Sequence, residues 1–176
     1  MADPHDDEKP GTDLTGAVEQ DERRSQSART RRLAWSLSLA GFLPFLVLTA
    51  AVVFMEEINP VRPIVLDALK TYSAIILSFL GGIRWGVAMK DRNPVRARRA
   101  FVMSVIPSLI GWFGLFLPHP YIFGVFALAF AAQGAWDSLS GATGAFGDWF
   151  VRLRIWLTLL VTAAMITAFF ATLPPT

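Results

Sequence analysis

An arginine inside an apolar run is the residue of this chain that most needs a chemical account. Arg84 lies in Ser78-Phe79-Leu80-Gly81-Gly82-Ile83-Arg84-Trp85-Gly86, part of a hydrophobic segment long enough to span a membrane. A charge in hydrocarbon is costly and needs water or a partner. Two accounts fit. The stem can snorkel to the near interface, about five residues or roughly 7–8 Å away at helical rise. Alternatively, Arg84 pairs with an acid of another helix at the same depth. Asp137 is the first candidate and Asp148 the second. Arg152 and Arg154 complete the candidate polar residues. Asp148 also suits an N-cap or first-turn acid for the helix that follows it.

These residues do not assemble into a catalytic set. No cysteine is present, which excludes disulfides, thiolate nucleophiles and cysteine metal sites. The two histidines, His5 and His119, fall in an N-terminal tail and a short turn, a poor set for a metal or haem. No Ser/His/Asp group converges on the expected topology. Gly141, Gly144 and Gly147 lie in a loop without the Gly-Lys-Ser/Thr ending of a phosphate-binding loop. The apolar segments lack the carboxylates expected of many proton-coupled carriers. The expectation is no enzyme, no cofactor and no metal.

The elements that position Arg84 follow from composition. Apolar types make up 53% of the 176 residues, and the mean hydropathy is +0.45. With lipid as solvent, apolar surface faces outward without a water penalty. The formal charge of +2 does not indicate nucleic acid, because the arginines flank hydrophobic segments, where they set topology. Residues 1–30 read as a disordered, charged cytoplasmic tail. It is acidic at first (Asp3, Asp6, Asp7, Glu8, Asp13) and basic at its end (Arg23, Arg24, Arg29). Its acids argue against a mitochondrial transit peptide and for a bacterial chain.

Residues 31–176 read as an all-α, polytopic transmembrane helix bundle. Its five expected spans are 33–54, 68–89, 100–117, 121–136 and 151–173, the fourth being the shortest. Leu117-Pro118-His119-Pro120 makes a tight hairpin turn between the third and fourth. Lys90, Arg92, Arg96, Arg98 and Arg99 follow the second span, and Arg152 and Arg154 precede the fifth. Together with the basic end of the tail they place the N-terminus in the cytoplasm and the C-terminus in the periplasm. Trp35, Trp85, Trp136, Trp149 and Trp156 gather near the expected cytoplasmic ends, as an interfacial belt does.

Ala74, Ser78, Gly82 and Gly86 recur every fourth residue, and Gly82 with Gly86 makes a G-x-x-x-G pair. Such a stripe lets two helix backbones approach closely in lipid. It serves packing within the chain, or contact with another membrane protein or a second copy. Pro44 and Pro107 each free a backbone carbonyl inside a span.

The block from Tyr72 to Gly86, with its Gly81-Gly82-Ile83-Arg84-Trp85-Gly86 ending, resembles the hallmark of domain-of-unknown-function family 3429, a group related to eukaryotic transmembrane protein 69. Ile106-Pro107-Ser108-Leu109-Ile110-Gly111-Trp112 and the segment from Asp148 to Thr158 are similar to its later blocks. Gly147-Asp148 departs from the proline often found before the Trp-aromatic pair. The resemblance covers the chain from about Leu33 onward. It implies a multi-pass bundle and brings no established activity.

Three functions stay open on these residues, all in the bacterial inner membrane. The first is a non-enzymatic scaffold or assembly component that binds other membrane components. The second is a small transporter or channel component, whose polar path would draw on Ser, Thr and Gln133. The third is a lipid- or quinone-modifying enzyme with Arg84 near headgroups. The expected partners are the bilayer and another membrane helix, not nucleic acid.

Overall fold

A computed structural model of the chain describes residues 11–140 and 148–174. It contains five helices: α1 (Gly11–Phe54), α2 (Arg62–Ala88), α3 (Pro94–Gly114), α4 (Tyr121–Ser140) and α5 (Asp148–Ala171). No strand occurs among the described residues. The chain divides into two compact units, residues 1–38 and 39–176. The second unit holds the helix packing described below.

In the first unit, residues 1–10 lie outside the described residues, and α1 begins at Gly11, within the expected tail. From Ala17 to Arg32 the sequence is free of proline and rich in Ala, Glu, Gln and Arg, which lose little side-chain entropy in a helix.

Two helices begin earlier than their apolar content suggests. α2 starts at Arg62 rather than residue 68, with Pro63 in its first turn, where a missing N–H costs nothing. α3 starts at Pro94 rather than residue 100. Asn93 caps it, its Oδ1 accepting from the backbone N–H groups of Val95 (3.0 Å) and Arg96 (3.2 Å). Arg96, Arg98 and Arg99 therefore belong to a helix and not to a connection.

That early start bears on the number of spans. Five were expected, whereas three helical stretches are long and apolar enough to cross a membrane: Ala28–Phe54, Arg62–Gly86 and Trp149–Ala171. The arginines of α3 leave only residues 100–114 apolar, about 22 Å at helical rise against about 30 Å of hydrocarbon. α4 is interrupted by Gln133 and Asp137 in its second half.

α2 packs along α3, and α4 along α5. Each pair meets where a side chain would not fit. A methyl group at Gly81 would run into the carbonyl oxygen of Ser104, three residues before the Pro107 turn of α3. Two turns further along the same contact, Gly111 of α3 lies on the backbone of Ala74. In the other pair, a methyl at Gly134 would overlap the side chain of Thr158. Between α3 and α4 the chain turns at 115–120. The last carbonyls of α3 are taken by Leu115, Phe116 and Leu117 through tightened three-residue bonds.

α1 joins through aromatic contacts. Phe45 is fully buried and meets the Tyr72 ring edge-on at 5.0 Å and the Phe130 ring at 5.7 Å. Pro44 disturbs the helix turn beside it, and the Tyr72 hydroxyl donates to the Gly41 carbonyl at 2.7 Å. The far ends of α2 and α5 are tied by Arg62, whose Nη2 donates to the Ala171 carbonyl at 2.8 Å. A cation there satisfies an end carbonyl and opposes the helix dipole.

The interior is built of Phe45, Leu69, Leu77, Ile122, Phe123, Phe126 and Met165. The outside is also apolar. Leu43, Leu46, Phe79, Leu109, Phe113, Leu128, Leu159 and Phe170 are all exposed. A surface so apolar suits lipid rather than water.

The Gly81 contact generates a paired prediction. Gly81→Ala should lower stability by ~1–3 kcal/mol, the usual cost of overpacking. Gly82→Ala, with open space beside it, should be neutral or stabilising by up to ~1 kcal/mol. Thermal unfolding of the two variants in detergent, followed by tryptophan fluorescence, distinguishes them.

Candidate functional site

The ends of α2 and α4 and the start of α5 bring three charges together. Arg84 lies four residues from the end of α2, Asp137 in the last turns of α4, and Arg154 in the second turn of α5. Arg84 Nη2 stands 2.6 Å from Asp137 Oδ1. Arg154 Nη2 donates to the other carboxylate oxygen, Oδ2. All three side chains are largely buried, at 13%, 16% and 11% exposure for Arg84, Asp137 and Arg154. The guanidinium of Arg84 also lies over the Trp136 ring, 5.0 Å from its centroid.

The backbone explains the register. Gly134 lets α4 approach α5 at Thr158. α4 and α5 are joined by one short connection and run antiparallel. One turn toward that connection, residue 137 therefore faces residue 154. Trp136, beside Asp137 in sequence, meets Arg84 from the same helix end.

Two cations share one anion, so the cluster keeps a net positive charge. Arg84 Nε and Arg154 Nε are buried without an acceptor. Between α3 and α4, next to Arg84, lies a cavity of about 140 Å³. Arg84, Gln133 and Trp136 line it together with Ile106, Ile110 and Ala129. Gln133 is only 8% exposed, and its Nε2 also lacks an acceptor.

Of the two accounts of Arg84, the structure shows the ion pair with Asp137. Arg154 joins them, a pairing the sequence reading did not make. Arg152 is exposed and stands outside the cluster. Asp148 is the first residue of α5. The loop glycines Gly141, Gly144 and Gly147 lie outside the described residues.

The small-residue stripe divides. Ala74 packs on Gly111, and the Ser78 hydroxyl donates to the Ala74 carbonyl at 3.0 Å. Gly82 and Gly86 are exposed, with nothing within 4 Å of where a Cβ would stand. The close contact of α2 instead uses Gly81. No group of three or more His, Cys, Asp or Glu able to hold a metal ion occurs among the described residues.

His119 stands at the opposite end, in the turn between α3 and α4. Its ring stacks on Phe123 at 5.3 Å, and its Nδ1 is buried without a partner. Burial lowers its pKa below the ordinary histidine value, and nearby Lys70 and Arg62 push the same way against Asp67.

Two predictions follow from these charges. Asp137→Ala leaves two buried guanidiniums facing each other and should cost ~3–5 kcal/mol, read as a loss of folded protein and of melting temperature. Exchanging Arg84 and Asp137 should not restore it, because an arginine at 137 would face Arg154. For His119, the unfolded chain takes up a proton more readily than the folded one. Stability is therefore full above the ordinary histidine pKa of about 6.5 and falls as pH drops below it. Melting temperature measured between neutral and mildly acidic pH should show this slope, and His119→Phe should flatten it.

Comparison with known proteins places this arrangement in a group. The chain is 30% identical to transmembrane protein 69 of Xenopus tropicalis over 135 residues, which is 74% of this chain and 51% of the relative. It is 27% identical to transmembrane protein 69 of Mus musculus over 125 residues, covering 70% and 50%. The chain thus spans about half the length of the curated relatives it matches. No solved structure matches it. The model of the family described as a protein of unknown function (DUF3429) matches residues 30–170, a stretch that contains the whole Arg84–Asp137–Arg154 cluster, and the chain belongs to that family.

Proposed function

We propose that this chain is a non-enzymatic scaffold or assembly component of the bacterial inner membrane, which holds a partner transmembrane helix on the open face of α2. One observation carries this reading. Gly82 and Gly86 lie one turn apart on an exposed face and touch nothing. Glycine weakens a helix by roughly 0.5–1 kcal/mol relative to alanine. The glycines at 81, 111 and 134 return that cost in close packing within the chain. Gly82 and Gly86 return nothing within the chain. A second helix packed across them would supply the missing contacts. Exposed Phe79 and Ile83, on neighbouring turns, would flank it.

In this reading all five helices sit in the bilayer. Exposed Val102, Val105, Leu109 and Phe113 on α3 give the shorter α3–α4 hairpin an apolar exterior as well. The N-terminus lies in the cytoplasm, since lysines and arginines cluster in the first half of α1, from Lys90 through the first turns of α3, and at the start of α5. The Arg84 cluster would then stand near the cytoplasmic headgroups.

The experiment uses full-length protein extracted in mild detergent. The wild type should run as a complex, with a second copy or another membrane protein. Gly82→Leu and Gly86→Leu should keep the melting temperature and lose the companion. A strictly monomeric, partner-free wild type, or an unchanged complex in both variants, overturns the reading. Because the chain has no cysteine, single cysteines at Arg92 and Tyr121 report sidedness with an impermeant maleimide. Labelling at 92 from the periplasm would reverse the orientation.

A further inference from the structure

The cavity between α3 and α4 has a chemistry that the helix-holding role does not use. Its polar contributors are Arg84 and Gln133, whose Nε and Nε2 atoms are buried in its wall without acceptors. Gln133 is more than nine-tenths buried, and an amide N–H2 left dry is costly unless something accepts from it. The adjoining cluster has two guanidiniums to one carboxylate, so the local field favours an anion. The remaining walls, among them Ile106, Pro107, Ile110 and Ala129, are apolar. Ile106, Met103 and Trp136 are partly exposed, so the cavity opens outward where the bilayer would lie.

We infer that this cavity binds the anionic head of an amphipathic lipid, whose oxygens accept from Gln133 and Arg84 while its acyl chain leaves past Met103 and Ile106. Volume agrees with this division. About 140 Å³ is close to the size of a cavity that holds one benzene ring, enough for a carboxylate or phosphate and its first carbons but not for a whole lipid. Depth agrees as well. Arg84 lies four residues from the end of α2, about 6 Å along the helix, where headgroup oxygens meet the hydrocarbon. Indole rings prefer that level, and Trp136 stands there. The shared chemistry is an acidic oxygen head on an apolar tail, from a fatty acid or from a phospholipid. The inference rests on the bilayer placement but not on any partner at Gly82.

The test is native mass spectrometry of the full-length protein in a neutral detergent. It is titrated separately with oleate, dioleoylphosphatidylglycerol and dioleoylphosphatidylcholine. The wild type should retain one anionic lipid at least ~10-fold better than the zwitterionic one, the factor expected for a hydrogen bond to a charged group. Gln133→Leu removes the donor without changing net charge and should weaken retention by ~10-fold. Ala132→Phe, at the cavity wall, should abolish it by filling the space. Surface attraction to Arg96, Arg98 and Arg99 would survive both changes, so undiminished retention in the two variants overturns the inference. Equal retention of phosphatidylcholine by the wild type also overturns it. Preference for oleate assigns the site to a free carboxylate, and preference for phosphatidylglycerol to a lipid phosphate. If either variant fails to fold, as its melting curve would show, the other decides.

Discussion

Two guanidiniums buried within one helical end need a carboxylate between them, and the placement of Asp137 answers that need. Its two oxygens serve different helices, Oδ1 toward Arg84 of α2 and Oδ2 toward Arg154 of α5. A charge taken from water without a partner costs several kcal/mol, so the three helix ends cannot separate independently. The surrounding geometry serves this meeting. Gly134 brings α4 onto α5 one turn earlier, and Gly81 brings α2 onto α3 one turn before Arg84. Trp136 covers the Arg84 guanidinium with its ring face.

The opposite end is held differently. Arg62 closes the last turn of α5 by donating to the Ala171 carbonyl. The Tyr72 hydroxyl ties α2 to α1 at the turn loosened by Pro44. Lipid tails surround apolar helices as well as other helices do, so packing and polar contacts decide which faces meet. Small residues accordingly lie at the helix contacts at 74, 81, 104, 111 and 134, while Phe79, Leu109, Leu128 and Leu159 point out.

Much of the fold was legible in sequence because apolar length and proline placement report directly on helices and turns. Five helices and the hairpin at Pro118 and Pro120 follow from them. Equal depth of Arg84 and Asp137 was legible too, since both sit near helix ends on one side. Other features were not. Polar first turns, such as Arg62-Pro63 and Pro94 to Arg99, carry no hydrophobic signal, so these helices start before the expected apolar spans. The four-residue stripe pointed to Gly82, yet the contact uses Gly81, because spacing shows a face but not which face a neighbour takes. Arg154 as second partner needed the register of α4 on α5, set by the Gly134–Thr158 contact.

The order of the chain adds a constraint on assembly. Arg84 is made well before the acid that neutralises it, and Arg154 arrives last. In the bilayer placement proposed above, the guanidinium of α2 would have no counter-ion while α3 and α4 are completed and would wait in contact with water or phosphate. Its distance of four residues from the helix end allows that, because a long stem reaches the aqueous boundary. A site deeper in the same helix would have stranded it in hydrocarbon during synthesis. In that placement the ion cluster would sit at the depth where an unfinished chain can still keep its charge solvated.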